Sequence, residues 1–253
     1  TYLLAFPLLI FNFNPVSGGY LTAVLGTVTV FLIYKIGSEL FSVRTGIIAM
    51  FLYAVSPLII SFDRIPYHTS PIPLFSLLYF YALFKWISGK INYFPLSLLL
   101  IAILYNLELA TFTLFFPFVL LFIYGLIKNE VWVKKIFNKK IIIYSLLAFL
   151  IPMFPIIFYD LSNGFRQTLV FLVWIAYKPF SIFLKHSFIS IASSTNILIN
   201  FIFVNIQKLI FSPNLFISLF VLLFSMIFLI KKVLFDLKLK IINPKSLLAF
   251  LLF

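Results

Sequence analysis

Seven apolar runs, most of them separated by short polar turns, determine what this chain can fold into. Each approaches the length of roughly 20 residues that an α-helix needs to cross a bilayer. In lipid such runs must be helical, because a helix satisfies its backbone N–H and C=O groups internally. The pattern predicts spans at about 16–36, 45–63, 69–87, 93–106, 109–127, 141–159 and 213–230. We therefore expect an all-α, polytopic transmembrane helix bundle of about 7–9 spans, with interfacial helices on its outer face.

Composition and charge exclude a water-soluble domain and do not indicate nucleic acid as a partner. Hydrophobic residues make up 64% of the chain and charged residues 10%, whereas a soluble domain carries about 25% charged residues. The net charge of +13 arises because Lys and Arg collect in the turns of one face, as in cytoplasmic loops. That face holds 14 of the 19 basic residues: Lys35, Arg44, Lys85, Lys90, Lys128, Lys134, Lys135, Lys139, Lys140, Lys231, Lys232, Lys238, Lys240 and Lys245. We expect an integral protein of the plasma membrane of a prokaryote.

The chain shows no internal repeat and no linker, so we expect a single transmembrane domain over 1–253. A start at Thr1 and an end within the apolar "SLLAFLLF" indicate an internal fragment of a longer protein. Segment 160–212 is either an outer loop with interfacial helices or two further crossings. The polar "SIASSTNILINFIFVNIQKLIF" favours the first interpretation. The chain has no Cys, and its two His are far apart, so no metal-ligand cluster is visible.

A small set of ionisable residues lies away from the basic turns, at the opposite ends of the predicted spans. Three of the six acids belong to it, at three separate helix ends that could converge on one outer site. The candidate substrate-binding residues are Asp63, Arg64, His68, Glu108, Asp160 and Arg166. Lys178, Lys185, His186 and Lys208 follow further along the chain.

Most of these candidates also have an ordinary structural explanation. Asp63 and Arg64 could be solvated loop residues, since charges at the end of a span reach the interface at little cost. His68 in "HTSPIP" could begin a helix, and Asp160 in "YDLSNGF" could cap one. Glu108 is harder to explain in this way, because it stands between apolar arms without an adjacent cation. A buried carboxylate there needs a partner or a ligand.

The stretch "GYLTAVLGTVTVFLIYKIGSELFSVRTGIIAMFLYAVSPLIISFDR" resembles the early spans of GT-C glycosyltransferases. The similar branch holds the protein O-mannosyltransferases and the bacterial lipid A aminoarabinose transferases. In that branch a span ends in a basic turn, and a small-residue-rich span with an "SP" pair follows and ends in an outer Arg. Here "LFSVRTGIIA", "AVSP" and Arg64 occupy those positions. The resemblance covers roughly residues 1–170.

The resemblance implies transfer of a sugar from a polyprenyl-phosphate donor to a lipid, glycan or protein acceptor on the outer face. Arg64, helped by Arg166 or His68, would then stabilise the leaving phosphate. The family's acidic base belongs to the first outer loop, which would lie upstream of Thr1, so the catalytic residue is not assigned within this chain. Glu108 or Asp160 could support this base in deprotonating the acceptor hydroxyl. No cofactor motif is visible. The use of a divalent cation as cofactor stays open, because some relatives use one.

Two other functions fit parts of the pattern. A different polyprenyl-lipid enzyme, of the O-antigen polymerase or ligase type, also uses outer Arg residues on a membrane bundle. A transporter would place charges and broken helices near the midplane and would often show repeated halves. A structural membrane protein without a site is the third alternative, and the three acids at one face argue against it.

Overall fold

The fold comes from a computed structural model and is described for residues 2–14, 16–166 and 168–173. Beyond these it describes only 177, 199–200, 202–204, 216–217, 219–220, 222–227 and 231. Within the described residues the chain is helical and contains no β-strand. The α-helices are α1 (Tyr2–Ile10), α2 (Ser17–Leu40), α3 (Val43–Val55), α4 (Pro57–Asp63), α5 (Ile72–Ile87), α6 (Tyr93–Leu107), α7 (Phe115–Ile127), α8 (Val131–Lys134) and α9 (Lys139–Ser162). Leu109–Leu114 and Lys135–Phe137 are 3-10 helices.

Three of the helical segments are long and apolar enough to cross a membrane: Ser17–Leu40, Leu109–Ile127 and Lys139–Ser162. A fourth span results if α3 and α4 are counted together, although the chain bends by 63° between them. The prediction of an all-α membrane bundle is therefore confirmed for the described part of the chain. The expected number of 7–9 spans stays a prediction. The segment 160–212 lies largely outside the described residues, and of the predicted span 213–230 only 216–217, 219–220 and 222–227 are described.

Several predicted boundaries differ from the observed ones. The predicted span 45–63 is broken at Ser56, because Pro57 begins a new helix and the residue before a proline prefers an extended backbone. The predicted spans 69–87 and 93–106 correspond to α5 and α6, which are shorter apolar helices of 16 and 15 residues. Between the predicted spans 93–106 and 109–127, α6 extends to Leu107 and only Glu108 leaves the helix.

An aromatic cluster joins α5, α6, α7 and α8 near the point where α5 ends and α6 begins. Trp86 is fully buried, and its ring lies 4.9 Å from the ring centroids of both Phe94 and Trp132. Tyr79 is also fully buried, and its hydroxyl donates to the carbonyl oxygen of Leu114 at 2.7 Å. This bond ties α5 to the end of the 3-10 segment that follows Glu108.

Within the described residues, the surface of α9 is apolar and largely exposed. Only 6% of its most apolar window is buried, and large apolar side chains such as Ile151, Phe154 and Phe158 are exposed. A helix that is apolar all round and this exposed requires a hydrocarbon environment.

Contacts between the described helices place their connections at two ends of the bundle. At one end, here called the Glu108 end, the turn 64–71 lies beside Glu108. His68 of this turn contacts the Glu108 side chain. At the other, here called the basic end, the C-terminal parts of α2 and α5 are joined by an ion pair of Glu39 with Lys85. The two ends thus separate the candidate site residues from the basic turns.

Candidate functional site

Two of the candidate residues, His68 and Glu108, contact each other. Nε2 of His68 lies 3.2 Å from Oε2 of Glu108, within hydrogen-bonding distance. The side chains are 35% and 40% exposed, so the pair is half-buried and open on one side. An imidazole beside a carboxylate can bind a hydroxyl group or hold a proton, and the open side leaves room for a ligand.

The turn that carries His68 is held by local hydrogen bonds. The hydroxyl of Ser70 accepts from the backbone N–H of Tyr67 at 3.2 Å and donates to the carbonyl of Ile65 at 3.1 Å. The ring of Tyr67 also lies 4.1 Å from the imidazole, centroid to centroid. Pro66 and Pro71 limit the backbone freedom of the same turn. The imidazole is therefore positioned before any ligand binds.

Glu108 is positioned by a break in the helix. Its backbone is extended, with φ −156° and ψ 127°, between the end of α6 and the 3-10 segment. Its carbonyl oxygen accepts from both the backbone N–H of Thr111 at 3.0 Å and the Thr111 hydroxyl at 2.7 Å. The break turns the carboxylate out of the apolar run and towards His68.

Asp63 and Arg64 are adjacent in sequence but point to different surroundings. The Asp63 carboxylate lies against Gly26 of α2, where an added Cβ would stand 2.3 Å from Oδ2. Arg64 is exposed, and within the described part of the chain its guanidinium makes no hydrogen bond and no ion pair. The ion pair between Asp63 and Arg64 that a solvated turn would allow does not form there, so Arg64 can contact an external anion.

Asp160 has a local structural role. It is 3% exposed, and Oδ2 accepts from the backbone N–H of Thr168 at 3.0 Å and also from the Thr168 hydroxyl. Its carbonyl oxygen accepts from the N–H of Phe165 at 2.8 Å. These bonds close the turn after α9, in agreement with the capping interpretation. A role of Asp160 in binding substrate stays a prediction.

Arg166 lies on a cavity that continues into the apolar interior. This cavity, of about 610 Å³, is lined by Arg166, Tyr159 and Leu109, the residue after Glu108. It shares the walls formed by Tyr105, Ile156 and Phe171 with a second, apolar cavity of about 290 Å³ between α6 and α9. Together they form a groove with a cation at one end and hydrocarbon side chains along the rest, here called the Arg166 groove.

Three features of the structure were missed by the sequence analysis. Asn106 donates to the carbonyl of Pro152 at 3.1 Å and so joins α6 to α9 beside the Arg166 groove. Gly26 provides the space for Asp63. Lys85, counted from the sequence among the basic residues that flank a turn, lies in the last turn of α5, is 6% exposed and pairs with Glu39. An amide and a lysine inside apolar runs are the signals that indicate interhelical partners.

The described residues contain no group of three or more His, Cys, Asp or Glu side chains that could hold a metal ion. A divalent cation as cofactor stays a prediction. The carboxylate, imidazole and guanidinium groups present can bind phosphate and hydroxyl groups directly.

Comparison with known proteins identifies one family. The model of the family described as "Dolichyl-phosphate-mannose-protein mannosyltransferase" matches residues 1–159. This match covers more than half of the chain and includes Asp63, Arg64, His68 and Glu108. Searches of curated proteins and of solved structures found no match.

Proposed function

Because the chain belongs to the dolichyl-phosphate-mannose-protein mannosyltransferase family, we propose that it moves a sugar from a polyprenyl-phosphate donor to an acceptor on the outer face of the membrane. Membership of this family makes the chain a membrane glycosyltransferase of the GT-C type. The family match favours this function over a transporter or a polymerase. The donor lipid, the acceptor and the outer location of the site are parts of the proposal.

The observation that carries the proposal is the Arg166 groove. A polyprenyl phosphate combines a long apolar tail with a dianionic or monoanionic head, and the groove offers apolar walls with a guanidinium at one end. The tail would lie along Tyr105, Ile156 and Phe171. The phosphate would then lie at Arg166, next to Leu109 and hence to the Glu108 turn.

Charge development at the phosphate explains the need for cations. The acceptor hydroxyl oxygen attacks C1 of the sugar, the bond from C1 to the phosphate oxygen breaks, and the electron pair of that bond stays on the leaving polyprenyl phosphate. Arg166 and Arg64 would stabilise this added negative charge, because a guanidinium presents two parallel donors to phosphate oxygens. Arg64 fits this role since its side chain is exposed and has no partner among the described residues.

The His68–Glu108 pair fits the acceptor side of the reaction. The attacking hydroxyl must lose its proton to a base. The family resemblance implies an acidic base in the first outer loop, so none of the candidate residues described here is assigned that role. Glu108 would orient the acceptor hydroxyl by accepting its hydrogen bond, while His68 holds the carboxylate in place. Both residues are therefore proposed as binding groups, and Asp160 as a residue that shapes the turn beside them.

Arginine substitutions in the full-length enzyme test the proposal. Sugar transfer from polyprenyl-phosphate donors should fall for Arg64→Lys and Arg166→Lys by about 1–3 kcal/mol of transition-state stabilisation, or roughly 5- to 150-fold. A lysine keeps the charge but not the paired donors. Arg44→Lys, at the basic end, is the matched control and should keep the wild-type rate. Wild-type rates for the Lys and Ala variants at both 64 and 166 would refute the assignment.

A further inference from the structure

A second cavity lies at the basic end, far along the helices from the Glu108 turn. It measures about 700 Å³ and is bounded by the start of α6, the 3-10 helix after α8 and the start of α9. Among the described residues, three lysines (Lys134, Lys135 and Lys140) contribute to its wall, and no Asp or Glu does. We infer that this lysine-lined cavity binds the phosphate headgroup of an anionic phospholipid in the leaflet at the basic end.

Polar donors supplement the lysines. Asn92 occupies the N-cap position of α6 but makes no side-chain capping bond, and its amide lines the cavity. The side chain of Asn138, also on the wall, accepts from the N–H of Lys140 at 3.0 Å and so begins α9 beside it. Residues at the starts of α6 and α9 both border the cavity, so the positive ends of the two helix dipoles lie near it. These groups add to the cationic field that the lysines create.

The occupant is inferred to be a membrane lipid because of what surrounds the cavity. Phe137 and Tyr144 line it and are 63% and 58% exposed. The cavity adjoins the α9 surface, where Ile143 and Leu147 are exposed as well. A lipid can place its phosphate among the lysines and its acyl chains along these side chains. A water-soluble phosphate compound would leave the apolar part uncovered.

The ordinary preference for lysines on the cytoplasmic side does not by itself produce this arrangement. That preference requires cations near the membrane, each contributing about 1 kcal/mol of attraction to an anionic surface. It does not require three cations on one concave wall without an acid. Arg44, Lys90 and Lys128 are exposed at the same end and do not line this cavity. Substituting them therefore distinguishes lipid binding in the cavity from attraction of lipid by the general surface charge.

Native mass spectrometry of the full chain provides the test. The protein is purified in detergent with phosphatidylcholine and a minor share of phosphatidylglycerol, and the retained lipids are counted. The wild type should keep one phosphatidylglycerol molecule and no phosphatidylcholine at this site. The triple variant Lys134→Gln, Lys135→Gln, Lys140→Gln should lose it, with affinity reduced about fivefold per lysine. The control triple Arg44→Gln, Lys90→Gln, Lys128→Gln should retain it.

Three outcomes would overturn the inference. Equal loss in both triple variants would show that the lipid follows general surface charge. Unchanged retention in the cavity triple would show that the lysines bind nothing. Displacement of the lipid by inorganic phosphate at equal concentration would assign the cavity to a soluble phosphate compound. If the triple variant does not fold, the single Lys140→Gln variant gives the same comparison, with about fivefold weaker retention expected.

Discussion

Nε2 of His68 lies 3.2 Å from Oε2 of Glu108, although 40 positions separate the two residues. The contact joins the proline-bounded turn after α4 to the helix break after α6. It brings together two of the six side chains that the sequence had placed at one end of the bundle, and it leaves both partly open to a ligand.

Coupling between His68 and Glu108 should be measurable in sugar transfer. Glu108→Gln and His68→Ala should each reduce the rate, and the double variant should lose less than the sum, because either change already removes the contact. Residues in direct contact typically show interaction energies of about 0.5–3 kcal/mol. The measurement is a double-mutant cycle with the full-length enzyme. Strict additivity of the two losses would show that the residues act independently.

The sidedness of the two ends can be measured directly, because the 253 residues contain no Cys. A single Ile65→Cys variant should react with a membrane-impermeant reagent added from outside. A single Lys128→Cys variant should react only after the membrane is opened. Both positions are exposed, at the Glu108 end and the basic end respectively. If Ile65→Cys reacts only from the cytoplasmic side, the proposed orientation is wrong.

The contact of Asp63 with α2 predicts opposite effects for two glycines of the same helix. Gly26→Ala should lower the thermal midpoint in detergent, since its Cβ would stand 2.3 Å from Oδ2 and 2.8 Å from Cγ of Asp63. Overpacking of this kind costs about 1–3 kcal/mol. Gly19→Ala, where nothing lies within 4 Å of the new Cβ, should raise the midpoint, because Ala is the better helix former by about 1 kcal/mol. A rise for both variants would show that Asp63 does not pack on α2.

The helices and their order could be predicted from the sequence, because a long apolar run that lies in lipid must be helical to satisfy its backbone hydrogen bonds. The break before Pro57 is also visible in the sequence as "AVSP", because the residue before a proline prefers an extended backbone. The sequence could predict that His68 and Glu108 lie at the same end of the bundle, but not that their side chains are in contact. Their contact depends on how far two turns reach across it, and no local pattern encodes that distance.

Lys85 is a second residue whose contact could not be predicted from the sequence. A lysine near the end of an apolar run usually extends to the interface, so its sequence position indicated a solvated turn. The structure buries it within α5, because Glu39 on α2 provides a partner 46 positions away. The apolar periodicity of the two helices contains no signal for that partner.

The ion pair between the buried Lys85 and the exposed Glu39 predicts that the two charges stabilise the bundle only together. Tyr81 adds to the pair, since its hydroxyl donates to Oε2 of Glu39 at 2.5 Å and Nζ of Lys85 lies 5.0 Å from its ring centroid. Glu39→Gln should lower the thermal midpoint, because it leaves a buried ammonium without its counter-charge. The cost should be about 1–3 kcal/mol, below that of a fully buried pair because the Glu39 side chain is 41% exposed.

Combining Glu39→Gln with Lys85→Met should recover most of that loss, since an apolar side chain replaces the unpaired charge and buried ion pairs can often be replaced by apolar residues at little cost. Glu130→Gln is the control for removing one acid. Its side chain makes no capping bond at the start of α8, and the variant should leave the midpoint nearly unchanged. Thermal unfolding of the four proteins in one detergent gives the comparison. A double variant less stable than Glu39→Gln alone would show that Lys85 stabilises the helix contact without its partner.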